Sequence, residues 1–241
     1  MIRAADSSWP DVAAALHGGL AILPFGALEQ HGPHLPLGTD TLTAEAVATA
    51  LAERFDAVLL PAIPYGETWN NAGYPSTVSL SPVTVTAIAV DIGRAVAHDG
   101  ARALVVVNGD WGNRAPLAAA ASHLASEHVR CLVLNYPGMD EAADAVQESP
   151  LAAPGLALRH ADEVETSIVL ALAPELVQRD RELAEYPVFP ADFGTRPMQL
   201  HPFSSSGIFG DPRPATSEKG RVILAATVAA SEREIRAALD D

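Results

Sequence analysis

The chain has 241 residues, 49% hydrophobic and 19% charged, a composition that can close a large core as one domain and that excludes disordered and fibrous classes. Thirty acidic against fifteen basic residues give a net charge of −15, which repels nucleic acid and anionic membrane surfaces, and no lysine or arginine cluster offers a local exception. The longest apolar runs, such as 103–107, fall far short of the roughly 18 residues that cross a bilayer, and residues 1–10 lack a basic stretch followed by an apolar one, so a soluble, cytoplasmic protein is expected.

Short β-rich runs alternate with longer helical patterns, the rhythm of βαβ units packed on a mainly parallel sheet. A first helix is expected over 8–17, where Ser8 and Asp11 have the form of a capping box. Strands follow at 20–24 and 57–61, with a helix over 41–55 between them. The next helix, 82–99, opens on Ser81-Pro82, an N-cap oxygen before a first-turn proline that needs no amide donor. Strands at 103–108 and 129–135 flank a helix over 114–127, and further helices are expected at 163–172 and 217–239. Between 136 and 159, and again between 186 and 216, the pattern dissolves into Pro, Gly, Ser and Asp, and long ordered connections of this kind usually cover a site. The second holds Phe203 and the serines Ser204–Ser206, which could form a lid or a subunit contact. The lone cysteine, Cys131, lies in an apolar run and reads as a buried small hydrophobe in a reducing compartment. Neither an internal repeat nor a composition shift marks a boundary, so residues 1–241 are expected to form one α/β domain, a three-layer α/β/α sandwich.

The most informative stretch is 24–40, directly after the first long strand. In extended chain, residues two apart point the same way, so Glu29 and His31 would present a carboxylate and an imidazole to one side. Gly32, Pro33, Pro36 and Gly38 then force a turn that can return Asp40 to the same spot as the next helix begins. Singly, each has an ordinary alternative: Asp40 caps the helix, Glu29 is solvated, and His31 and His34 are loop histidines. Together, on a strand-to-helix loop at the carboxyl end of a sheet strand, they point to a metal site.

This stretch, Glu29-Gln-His-Gly-Pro-His-Leu-Pro-Leu-Gly-Thr-Asp40, resembles the creatininase family of metal-dependent amidohydrolases. The resemblance continues in order through Tyr65-Gly66, Pro75-Ser-Thr-Val-Ser-Leu80, His160-Ala-Asp-Glu-Val-Glu-Thr-Ser167, Ser206-Gly-Ile-Phe-Gly-Asp-Pro212 and Ala215-Thr-Ser-Glu-Lys-Gly220. It implies a creatininase-like fold with a divalent metal centre, two ions per chain, at the carboxyl ends of the sheet. On that resemblance Glu29, His31 and Asp40 are metal ligands with Asp40 bridging, Glu165 is a further ligand with a part in catalysis, and His160 is the proton-transfer residue. It also implies a homo-oligomer, a hexamer being one possibility.

Two departures bear on the chemistry. The family usually shows Asn-Gly-His-Gly-Gly-Asn after the central strand, and this chain has Asn108-Gly-Asp-Trp-Gly-Asn113. Asp110 can itself ligate a divalent ion, and Glu29, Asp40, Asp110 and Glu165 against one certain imidazole, His31, tilt an otherwise Zn, Mn or Fe site toward Mn²⁺, Fe²⁺ or Mg²⁺. Alternatively, Asp110 is too short to reach and one ion is lost. Where many relatives carry Glu-His, this chain has Trp69-Asn-Asn71, so the substrate wall differs; Trp69, Tyr74 and Trp111 are expected to line an apolar pocket. The remaining histidines, His17, His98, His123, His128 and His201, lack partners at ligand spacing.

The chain carries no Gly-x-Ser-x-Gly elbow, phosphate loop or dinucleotide fingerprint. The expected activity is hydrolysis of a non-peptide C–N bond in a small linear or cyclic amide, with a role in specialised metabolism in view. The alternatives are an amide-forming or peptide-trimming relative, and a metal-poor binding homologue.

Overall fold

The computed structural model describes residues 1–152 and 158–240. Its strands are β1 (Ile2–Arg3), β2 (Leu20–Phe25), β3 (Val58–Leu59), β4 (Ala103–Asn108) and β5 (Cys131–Leu134). Its α-helices are α1 (Trp9–Leu16), α2 (Thr39–Phe55), α3 (Pro82–His98), α4 (Arg114–Ser126), α5 (Met139–Val146), α6 (Glu163–Leu172) and α7 (Ser217–Asp240). The five strands form one sheet in the order β1-β3-β2-β4-β5, and every pairing is parallel.

β2 (Leu-Ala-Ile-Leu-Pro-Phe) and β4 (Ala-Leu-Val-Val-Val-Asn) are buried along their whole length, because a parallel sheet is covered on both faces. On one face, Leu20 and Ile22 of β2 with Val105 and Val107 of β4 meet α2 and α7. On the other, Leu23, Phe25, Leu104 and Val106 meet α1, α3 and α4. This is the expected α/β/α sandwich. Ala143 of α5 and Val164 and Ile168 of α6 form a satellite cluster with Ile223 of α7.

The chain leaves β2 for β3 through α2 on one face, and leaves β4 for β5 through α4 on the opposite face. The loops after the neighbouring strands β2 and β4 therefore diverge and open a crevice at the strands' carboxyl ends, the usual ligand position in such sheets. Gly109 lets them approach: a Cβ there would lie 2.4 Å from the Asp40 carbonyl oxygen.

Several local expectations are corrected. β3 pairs over two residues and β5 over four, because Pro61 lacks a ladder donor and His128, just before the last strand, takes a left-handed turn. β1 was not foreseen; two residues give no periodicity, and it exists by pairing Ile2 with Val58. α2 begins at Thr39, two residues early, which puts Asp40 inside the first turn rather than at the cap. Ser8 does not cap α1 through a helix amide; its hydroxyl donates to the Asp11 carboxylate. Within the expected connection 136–159 lies α5. The Pro137-Gly138 pair reads as a breaker, yet it ends just before Met139, and Asp140 and Glu141 occupy the favourable first turn. The cap at Ser81 is as expected, its oxygen accepting from the Thr84 amide at 3.2 Å.

Leu104 is 1% exposed at the centre of the sheet. Leu104→Ala should lower unfolding stability by about 2–5 kcal/mol, read as a lower urea midpoint with an unchanged m-value.

Candidate metal centre

Three loops and two helix starts deliver the polar cluster. After β2 the chain runs extended through Glu29 and His31, then folds back so that the Glu29 amide donates to the Leu37 carbonyl at 3.1 Å. Thr39 closes that turn, its hydroxyl donating to the Pro36 carbonyl at 2.8 Å, and α2 starts with Asp40 aimed at His31. After β4, the Asn108 side chain braces the next turn by accepting from the Asp110 amide at 3.1 Å and donating to the Asp110 carbonyl at 2.8 Å. At the start of α6, Asp162 caps the helix by accepting from the Val164 and Glu165 amides at 2.9 and 3.3 Å. Glu165 Oε2 turns back to accept from the Ala161 amide at 2.6 Å.

These elements bring all six expected residues together. His31 Nε2 lies 3.2 Å from Asp40 Oδ1, 3.7 Å from Glu165 Oε2 and 4.0 Å from Glu29 Oε1. His160 Nδ1 lies 3.9 Å from both Glu29 Oε1 and Glu165 Oε2. Three trios have ligand atoms within 4.8 Å of one another: Glu29, His31 and His160; His31, Asp40 and Glu165; Glu29, Asp40 and Asp110. Asp110 thus reaches the cluster despite being shorter than the family's histidine.

The donor set fits a divalent cation. His31 Nδ1 donates to the Glu29 carbonyl at 3.1 Å, which leaves the Nε2 lone pair facing the carboxylates. Among the described residues, six buried side-chain atoms have no hydrogen-bond partner, and His31 Nε2, Asp40 Oδ2 and Asp110 Oδ2 are three of them. Leaving such atoms unpaired is costly, and cations held by the His31–Asp40–Glu165 and Glu29–Asp40–Asp110 trios would satisfy them.

The electrostatics agree. Burial, then the Asp110 and Asp40 charges, holds the Glu29 carboxyl well above its ordinary range; burial and Asp40 do the same to Asp110. Burial opposes protonation of His31, but Asp40 and Glu165 outweigh it and raise its pKa. His160 is pushed down to about 4 by burial and by His31.

The three expected pocket residues have different fates. Trp69 and Trp111 stand 45% and 70% exposed at the rim, Trp111 directly after Asp110. Tyr74 is committed to the scaffold, its hydroxyl donating to the Ser204 carbonyl at 2.7 Å. Ser204 is buried, its hydroxyl donating to the Glu185 carboxylate at 2.8 Å. Cys131 is partly buried, and burial pushes its thiol up to about 11. His17, His98, His123, His128 and His201 join no ligand cluster among the described residues.

Three residues at the centre were missed. Tyr136, just after β5, has its hydroxyl held well above the ordinary range by burial and by the charges of Asp40, Asp110 and Glu165; its place at a strand's carboxyl end was the available signal. Gln30 and Asn71 are buried against Glu29 and His160. Neither amide titrates or ligates, so the sequence marked Asn71 only as part of a changed substrate wall and did not mark Gln30 at all.

A sequence model of the family described as creatininase, creatinine amidohydrolase, matches residues 5–235. The chain is 35% identical to a mycofactocin precursor peptide peptidase of Mycolicibacterium smegmatis over 217 residues, covering 87% of this chain and 81% of the relative. It is 31% identical to the creatinine amidohydrolase of Pseudomonas putida over 241 aligned positions, covering 91% and 90%. Among solved structures, a manganese creatininase superposes with a TM-score of 0.86 at 28% identity, covering 100% of this chain and 99% of that one. A mutant creatininase described as Zn-Zn type gives 0.83 at 28% identity, covering 99% and 98%.

His34, whose Nε2 lies 2.9 Å from the Thr166 hydroxyl, is pushed down to about 4 by burial and then by His31. The unfolded chain takes up this proton near 6.5 and the folded one refuses it until about 4. The stability this group contributes is therefore complete above pH 6.5 and lost as pH falls toward 4. The advantage of the metal-free wild type over His34→Gln in thermal unfolding should shrink across that window.

Proposed function

Because the chain belongs to the creatininase family of metal-dependent amidohydrolases, we propose that it hydrolyses the C–N bond of a small linear or cyclic amide at a two-ion centre. Glu29, His31, Asp40, Asp110 and Glu165 would hold the ions, with Asp40 shared between them. The observation that carries this reading is that three buried atoms without partners, His31 Nε2, Asp40 Oδ2 and Asp110 Oδ2, belong to residues of two ligand trios that share Asp40. Four carboxylates favour Mn²⁺ or Fe²⁺ over Zn²⁺.

Divalent ions bound there would supply Lewis-acid chemistry, activating water and polarising the amide carbonyl. The protein's part is to place and move protons. The C–O bond forms as water attacks, the C–N bond breaks, and the proton lost by water must reach the departing nitrogen. His160 Nδ1, beside Glu29 and Glu165, is placed to accept that proton and return it. Glu165 Oε2, 3.9 Å away, stabilises the ring while it is charged. Trp69 and Trp111 offer flat faces at the rim for a ring or planar amide.

A second reading, trimming of a peptide's end, is supported by the exposed rim itself: Trp69 and Trp111 are 45% and 70% exposed and could seat an extended chain. Homo-oligomer formation fits the exposure of Trp9, Val83 and Val188. Among the described residues, no helix is long and apolar enough to cross a membrane.

Metal analysis of the undialysed protein by plasma mass spectrometry should give about two divalent equivalents per chain. Asp110→Ala should bring this to about one, and Asp40→Ala should abolish it. Absence of metal even after reconstitution would replace the hydrolase with a binding homologue. The loaded protein is then assayed against small amides, lactams and short peptides, and cleavage of peptides alone would favour trimming.

A further inference from the structure

Tyr136 follows β5 directly, at the carboxyl end of the strand beside β4. The Asn108 amide that sets the Asp110 turn also donates to Asn135 Oδ1 at 2.9 Å, so the residue before Tyr136 hangs on the same brace as a candidate ligand. Tyr136 then takes a φ of +55°, a left-handed conformation that a bulky residue keeps only when its surroundings impose it. Those surroundings are a tight turn. The Met139 amide donates to the Tyr136 carbonyl at 3.1 Å, and at Gly138, where φ is +73°, a Cβ would lie 2.9 Å from Ala230 Cβ of α7.

The phenol stands among the ligand carboxylates. Asp40 from α2, Asp110 from the loop after β4 and Glu165 from α6 all bear on its hydroxyl, and Arg114 at the start of α4 opposes them. Yet the hydroxyl makes no hydrogen bond among the described residues: Asp40 Oδ2 and Asp110 Oδ2 stay without a partner, and Glu165 Oε2 accepts from the Ala161 amide. A donor within electrostatic reach of three acids, and bonded to none, faces the space those acids enclose. It also keeps its hydrogen, because burial and the three charges outweigh Arg114. That hydrogen is free for an acceptor that arrives with the substrate.

We propose that Tyr136 is a further catalytic residue: its hydroxyl donates a hydrogen bond to the carbonyl oxygen of the bound amide and holds that oxygen as it becomes an oxyanion. This rests on the amide-hydrolysis reading above. When water attacks, the C–O bond forms and the electron pair of the carbonyl double bond moves onto its oxygen. When the C–N bond breaks, that pair returns and the double bond re-forms. The phenol keeps its proton throughout, and the proton lost by water travels separately through His160. The hydroxyl thus meets charge that exists only part-way through the reaction, the kind of contact that lowers a barrier rather than tightening ground-state binding.

The other neutral donors at the centre are already committed. Asn71 Nδ2 donates to Glu29 Oε2 at 2.9 Å, and Gln30 Nε2 donates to Asn71 Oδ1 at 3.0 Å and to the Gly207 carbonyl at 3.1 Å. His31 Nδ1 is held by the Glu29 carbonyl. Glu29, Asp40, Asp110 and Glu165 accept and cannot donate when ionised. Tyr136 is left as the neutral side chain with a hydrogen to give, and its turn is fixed before substrate arrives. A donor that need not move costs no reorganisation when the charge develops.

Tyr136→Phe removes the hydroxyl and keeps the ring, so the variant should fold and take up Mn²⁺ as the wild type does. Inorganic phosphate, a tetrahedral oxyanion, is the probe, titrated calorimetrically into both Mn²⁺-loaded proteins after unbound metal is removed. It should bind Tyr136→Phe about 10- to 100-fold more weakly, the range for loss of one hydrogen bond to a charged group. Equal phosphate affinity in the two proteins, or a wild type that holds Mn²⁺ but not phosphate, overturns the proposal and leaves the metal centre standing. Weaker Mn²⁺ binding by Tyr136→Phe also overturns it, because the phenol would then be a ligand. So does a variant that cannot fold, which would show the hydroxyl spent within the protein. A wild type that takes up no Mn²⁺ defeats the metal-centre reading and this proposal with it.

Discussion

Crowding of negative charge around His31 is the constraint on which the rest of the structure depends. Glu29, Asp40 and Asp110 are each at most 7% exposed, and His31 is fully buried among them. Buried carboxylates this close cannot all ionise without a compensating cation. The raised pKa values of Glu29 and Asp110 are the strain of the metal-free arrangement, and a divalent ion is the simplest relief. Where the resemblance implies an imidazole, Asp110 adds one more carboxylate, so the demand for a cation is greater than a histidine there would make it.

The fold meets that constraint through topology. A parallel sheet sends all its strand ends to one side, and the reversal of winding between β2 and β4 opens the crevice where their loops converge. Close approach at Gly109 seats the Asp110 turn against the first turn of α2, and the Asn108 brace sets its shape. The positive end of α2 faces the carboxylate of Asp40, its own second residue, and α6 does the same for Glu165. The centre is thus assembled from elements whose positions are fixed by core packing well away from it.

Around the ligands, the amides of Gln30 and Asn71 act as uncharged partners that fix acids and rings without adding charge. In a site already overloaded with carboxylates, neutral groups are the ones that can orient Glu29 and His160 at low electrostatic cost. The departure at Trp69-Asn-Asn71 from the Glu-His that the family resemblance implies fits this logic. An imidazole at 71 would compete for the same protons, whereas an amide offers one donor and one acceptor in fixed places.

Sequence alone determined the parallel α/β class, the long strands β2 and β4, most helices, and the candidate ligands Glu29, His31 and Asp40, because these depend on local periodicity, turn residues and a motif contained within 29–40. What it left open was whether Asp110 reaches the other ligands, and it passed over α5, Tyr136, Gln30 and the contact of Asn71 with Glu29. Each of those depends on contacts between residues far apart in the chain: Asn71 meets Glu29 across 42 positions, and His160 meets Gln30 across 130. Spacing along a chain reports which side chains can share a face of one element. Only the packing of α2, β4, β5 and α6 around a common crevice decides which faces meet, and therefore which amide holds which acid and which nitrogen of His160 looks inward.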